Sequence, residues 1–277
     1  MKSPLSRTLC AHKQQNLLYY TFPAFDSVPF VRHGFSTRLG GVSTGDFCSM
    51  NLSFTRGDDE AAVQENFRRI CTAMGVQKEQ VVVSAQTHTV NLYNATRADC
   101  GRGVAFPREY TDIDGLLTDE PGVVLCTQYA DCVPLFFVDP VRRVVACSHA
   151  GWRGTAQGMA RVTVERMVTD YGCRREDILA GIGPSIGPDC FEVDTPVYEA
   201  FCKADVFGEG CFTHGAEGKY YINLWEVNRR FLRAAGVPEE NITITDLCTR
   251  CYPEVFWSHR AAGDRRGSLA AFIGLAE

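Results

Sequence analysis

The chain has 277 residues, enough for one large domain or two modest ones, and a domain of that size needs neither disulfides nor metal merely to stay folded. Apolar residues make up 45% and charged residues 22%, which excludes a largely disordered chain. The net charge of −5 and a pI near 5.7 give no basis for a nucleic-acid coat or for attachment to an anionic membrane surface.

Residues 1–20 contain no apolar segment of the kind a secretory signal carries. Apolar stretches such as 133–138 fall far short of the ~20 residues a membrane span needs. A cytoplasmic, reducing setting is therefore expected, in which most of the 13 cysteines are small packing thiols. Residues 1–29, interrupted by Pro23 and Pro29, read as an irregular or edge-strand lead-in.

The first clear helix is expected over 59–74, where Val63, Phe67, Ile70 and Met74 form an apolar stripe between a cap at Asp58 and a stop at Gly75. Strand-like runs follow at 81–84, 122–126, 134–138 and 144–148. A helix is predicted over 155–171, then a buried strand over 177–182 and a helix opened by Pro196 and running through Phe201. Asn223 with Glu226 starts a further helix that stops at Gly236, and 242–247, 255–258 and 269–273 close the chain as strands. The order is mixed rather than strictly alternating. It predicts an α/β protein, a single domain over 30–277 with mixed β-sheets flanked by helices, and not a Rossmann fold.

Of six histidines, His12 and His214 sit in polar, loop-like surroundings. His33 precedes Arg38 and the Gly40-Gly41 pair, a pattern that fits either a hairpin or a nest of backbone N–H groups for an anion. His88 follows a short strand, Cys132 stands at the entrance of another, and His149 ends a third. Two imidazoles and a thiolate form a sensible three-ligand set for Zn²⁺ with a fourth position left for water. A Cys132–His nucleophilic pair competes with that reading. The spacings match no compact zinc-finger pattern, so the residues alone leave both open.

Taken together, His33-Gly-Phe-Ser-Thr-Arg38, Gly40-Gly-Val-Ser43, Gln86-Thr-His88, Asp114-Gly-Leu116, Ala130-Asp-Cys-Val-Pro134, His149-Ala-Gly-Trp-Arg-Gly154, Gly183-Pro-Ser-Ile-Gly187, Asp246-Leu-Cys-Thr249 and Phe256-Trp-Ser-His-Arg260 occur in this order. The series resembles the YfiH/laccase-domain family. The resemblance implies a metal held by His88, Cys132 and His149, with zinc expected and copper as an alternative occupant. It further implies phosphorolysis of adenosine, inosine, guanosine and methylthioadenosine, together with deamination of adenosine. The purine nucleosides and phosphate would be the partners of a monomer or small homo-oligomer. The segment 258–267 is longer than the family's usual form, which puts substrate contacts near it in doubt.

For the phosphate, Arg38, Arg153 and Arg260 are the arginines inside these motifs, and each offers a bidentate fork; a surface ion pair is the plainer alternative. Arg38 beside Gly40-Gly41 is the favoured phosphate contact. Asp114 and Asp131 are the nearest carboxylates. Strand alternation would turn Asp131 away, so Asp114 is the preferred acid/base candidate. The zinc-deaminase signature is absent: His88 is followed by Thr89 and Val90, and no Pro-Cys-x-x-Cys occurs. Cys248 and Cys251 make one Cys-x-x-Cys pair with no second pair beside it in sequence, and read as packed thiols. Six histidines without a His-x-His pair are too few for multicopper oxidase chemistry. A copper-dependent polyphenol oxidase and a peptidoglycan-editing factor acting on a muramyl or amino-acid substrate stand as the alternative functions.

Overall fold

In the computed structural model, which describes residues 6–277, two six-stranded sheets face one another and helices cover their outer sides. The first sheet runs from edge to edge as Cys10–Gln14, Leu17–Thr21, Val31–Ser36, Leu269–Leu275, Val124–Tyr129 and Val81–Val83. The second runs as Ile242–Ile244, Leu179–Ile182, Val133–Asp139, Val144–Ala150, Gly115–Thr118 and Leu92–Asn94. A small third sheet joins Glu192–Asp194, Lys219–Ile222 and Phe212–His214. Most neighbours are antiparallel. Three pairs at the sheet edges are parallel, so both large sheets are mixed, as the element order predicted.

The strand Val133–Asp139 shows why its sequence is apolar throughout. Val133, Leu135 and Phe137 pack outward against the helices Met159–Tyr171 and Leu224–Ala234, while Phe136 and Val138 point between the sheets toward Phe35, Leu125 and Ile273. A strand buried on both faces cannot alternate with polar residues. Each such side chain contributes about 1.5–3 kcal/mol of burial. On the far side, Val63, Phe67 and Ile70 of the helix Glu60–Met74 cover Val81, Val124 and Phe272.

Several boundaries differ from the sequence reading, each for a local reason. The helix at 60 is capped by Asp59, which accepts the Ala61 N–H, whereas Asp58 is engaged by Ser43 Oγ at 2.6 Å and Asn51 Nδ2 at 2.9 Å. The single helix expected over 155–171 is two, Trp152–Ala156 and Met159–Tyr171, broken at Gly158 with φ +79°. Residues 255–258 form no strand. Val255 and Phe256 both donate to the Tyr252 carbonyl in a turn, and Phe256 and Trp257 are buried there as core side chains. The segment before residue 30 builds the hairpin Cys10–Gln14/Leu17–Thr21 onto the first sheet and sends Phe22 and Phe25 into the core. No helix among the described residues is long and apolar enough to cross a membrane.

Candidate metal centre and cavity

One end of the second sheet gathers the chemistry. Cys132 directly precedes Val133–Asp139, and His149 lies in the neighbouring strand in register with Pro134. Asp114 directly precedes Gly115–Thr118, and its carbonyl accepts the His149 N–H at 2.7 Å. His88 arrives from the loop after Val81–Val83. That loop is fixed by Gln86, whose side chain accepts the Gln128 N–H at 2.7 Å and donates to the Gln128 carbonyl at 2.8 Å, in place of a strand neighbour.

One ligand atom each from His88, Cys132 and His149 lie within 4.8 Å of one another. The two imidazole rings stand 4.9 Å apart at 70°. Gly151 closes the group from behind: a Cβ there would fall 2.5 Å from His88 Nδ1 and 3.2 Å from Cys132 Sγ. The donor chemistry, two imidazoles and a thiol, suits a borderline-soft metal ion and leaves a coordination position open.

Asp114 organises this group from beneath. It is fully buried, and His149 Nδ1 bonds its Oδ1 at 2.8 Å. The remaining donors are the N–H groups of Thr87, His88 and Thr89 at 2.9–3.0 Å and the Thr89 hydroxyl at 3.1 Å. Burial alone would raise the Asp114 carboxyl, but the His149 contact and the backbone donors outweigh it and hold it below the usual range. For His149, burial opposes the charged form, yet the Cys132 thiol and Asp114 together lift it to about 9. Burial, with His149 beside it, pushes His88 below its ordinary value, toward the neutral imidazole that a ligand needs.

The triad opens into a cavity of about 940 Å³, a volume suited to a small-molecule substrate. Its wall carries Arg56, Arg108, Tyr110, Gln128 and Arg266, and Phe106 on the rim is 64% exposed. Arg266 is 6% exposed, and its Nε has no hydrogen-bond partner among the described residues. Burial, reinforced by the nearby Arg56, pushes this guanidinium down to about 10. A buried cation with an unpartnered donor beside a polar cavity has the chemistry to receive an anion.

Residues 32–276 match the family model described as multi-copper polyphenol oxidoreductase laccase. The chain belongs to the YfiH/laccase-domain family. It is 38% identical to the purine nucleoside phosphorylase YlmD of Geobacillus stearothermophilus, over 88% of this chain and 90% of that one. It is 36% identical to the adenosine deaminase RL5 from an unknown prokaryotic organism, over 84% and 90%. The crystal structure of the Bacillus licheniformis protein YfiH superposes with a TM-score of 0.88 at 33% identity, covering 96% of this chain and 98% of that one.

Within this laccase-domain chain, the arginines singled out from motifs lie outside the cavity wall. Arg38 donates to the carbonyls of Cys48 and Pro253 at 2.8 Å each and stacks 3.7 Å from the Trp257 ring. Arg260 donates to the carbonyls of Cys190 and Glu192. Arg153 lies over Trp152 at 4.2 Å, and its charge helps depress His88. Gly40-Gly41 is no open nest: the Gly41 N–H goes to Ser49 Oγ, and a Cβ on Gly41 would fall 2.1 Å from the Ser49 carbonyl. Asp131 does face away from the triad, held by Thr249 Oγ1 and the Arg260 N–H at 2.6 Å each. The cause is a turn at φ +86° rather than strand alternation. Sequence reasoning missed Arg266, although Arg265-Arg266-Gly267 lies in the very segment whose length departs from the family's usual form.

Proposed function

We propose that this chain is a purine nucleoside phosphorylase that also deaminates adenosine, with zinc held by His88, Cys132 and His149. Adenosine, inosine, guanosine and methylthioadenosine are its substrates in this reading. The observation that carries the proposal is the His–Cys–His group opening into one cavity with the buried, half-partnered guanidinium of Arg266. The relatives' activities support it at 36–38% identity.

Zinc bound at the triad would supply Lewis acidity toward a water or a substrate oxygen. The chain's own groups do the rest. Asp114 fixes the His149 ring and its tautomer. Arg266 and Arg56 hold the phosphate dianion, so that one of its oxygens bonds to C1′ of the ribose as the bond from C1′ to N9 of the purine breaks. Phe106 presents an apolar face on which the purine stacks. In the deamination, a water oxygen adds to C6 and ammonia departs, with no use of the phosphate clamp. Arg38, Arg153 and Arg260 act in this account on loop structure, since the donors of Arg38 and Arg260 go to backbone carbonyls. A reducing, cytoplasmic setting fits all 13 cysteines standing as free thiols.

Copper oxidase chemistry has less support: besides the triad, the other candidate ligand group among the described residues contains no histidine. The test is product analysis of adenosine incubated with phosphate. Adenine with ribose-1-phosphate, plus inosine or hypoxanthine, is expected from the zinc-loaded protein and none from Cys132→Ala. Zinc-loaded protein that yields none of these products sinks the proposal.

A further inference from the structure

A second thiol group lies outside the cavity. Cys190 sits in the loop after Leu179–Ile182, and Cys248 and Cys251 sit in the loop after Ile244. The loops are joined by a bridge between Ser185 and Cys248. One Sγ from each of the three cysteines lies within 4.8 Å of the others, and those of Cys190 and Cys251 are 3.4 Å apart. Cys248 accepts the Gly187 N–H on sulfur at 3.1 Å, and Arg250 Nη1 approaches Cys190 Sγ at 3.8 Å.

We infer that Cys190, Cys248 and Cys251 form a second metal site, built for a thiophilic divalent ion of zinc's class. Tetrahedral coordination at about 2.3 Å per Zn–S bond places sulfurs about 3.8 Å apart, so the trio needs only small side-chain adjustments. Cys248-Thr-Arg-Cys251 supplies the two-residue spacing found in zinc knuckles, and the fold supplies the third thiol that the sequence does not bring near. Cys251 is exposed, which leaves the fourth position to water. The ion would tie the two loops together. Thr249, between the ligands, hydrogen-bonds Asp131, the residue before Cys132, so the second site braces the approach to the first. A Cys190–Cys251 disulfide is the competing chemistry. It leaves the third thiol and the sulfur-directed N–H unexplained.

The inference is independent of the nucleoside reading, and metal counting tests it. Reduced protein is equilibrated with excess Zn²⁺, desalted, and its zinc measured by mass spectrometry, with circular dichroism confirming that each variant is folded. Wild type and Cys202→Ser, a control on an exposed thiol, are expected to hold two ions per chain. Cys190→Ser/Cys251→Ser and Cys132→Ala should each hold one. Co²⁺ loaded into Cys132→Ala should give an intense sulfur-to-cobalt charge-transfer band, absent once Cys190 and Cys251 are also serine. One ion in wild type, retained by Cys190→Ser/Cys251→Ser, overturns the inference. So does an air-oxidised wild-type mass lighter by two hydrogens alongside a single bound ion, which would mark a disulfide.

Discussion

A carboxylate offers about four lone-pair directions, and Asp114 meets five donors: three backbone N–H groups, the Thr89 hydroxyl and the His149 ring. Nothing is left to exchange a proton with substrate, so its work is to hold His149. Asp114→Asn should weaken zinc binding about 10–100-fold, the usual cost of losing the partner that orients a ligand, as read by chelator competition. The phosphate KM should be little changed. Arg266 poses the opposite case, a buried cation that the fold leaves with a free donor. Arg266→Gln should raise the phosphate KM at least ~10-fold, the effect of one lost charge-assisted hydrogen bond of about 1.5 kcal/mol or more. It should spare adenosine deamination and should not lower Tm, because the native guanidinium is itself costly to bury. A lowered Tm with an unchanged phosphate KM would make Arg266 a structural residue.

Strands carried their own signature in the sequence, and loops did not. Residues 133–138 are apolar without a break because both faces are covered, which is legible from residue type alone. Residues 255–258 look equally strand-like, yet Phe256 and Trp257 fill the core from a turn, a distinction set by tertiary contacts. The triad residues stood out in the sequence as candidates near strand ends, but residue type and spacing left a Zn²⁺ set and a Cys132–His pair both open, and only the family resemblance implied the metal triad. Arg266 and the third thiol, Cys190, did not stand out, since the chain brings them to their partners only by folding distant loops together. Gly158 belongs to this scale too. It interrupts an apparently continuous helical stripe at φ +79°, and an added Cβ would lie 3.0 Å from Phe231. Gly158→Ala should cost about 1–2 kcal/mol from the left-handed backbone, measured as a lower urea midpoint with unchanged zinc content.

The whole molecule is held by the joint between its sheets, and a buried histidine packs into that joint. His33, on the strand Val31–Ser36, lies among Phe22, Phe25 and Phe136, and its Nε2 accepts the Phe22 N–H at 2.8 Å. Burial, aided by His12, pushes it down to about 3 from an ordinary 6.5. Between those values the unfolded chain binds a proton that the folded chain refuses, so stability falls as pH drops from 6.5 toward 3. The loss at pH 5 is about 2 kcal/mol relative to neutral pH. Urea denaturation at both pH values should show that extra loss in wild type and not in His33→Gln, whose amide oxygen keeps the Phe22 contact. Equal acid sensitivity in the two proteins would contradict it.

The same sandwich sets Cys132, His149 and Asp114 on adjoining strand ends, with the His88 loop folded over them. Whether nucleoside chemistry runs at this metal group is decided by kcat/KM for inosine phosphorolysis, followed through metal removal and restoration. Chelator-stripped wild type should be inactive and should recover on adding stoichiometric zinc, while Cys132→Ala treated identically should stay inactive. Full activity in the stripped protein, or in Cys132→Ala, would contradict the account.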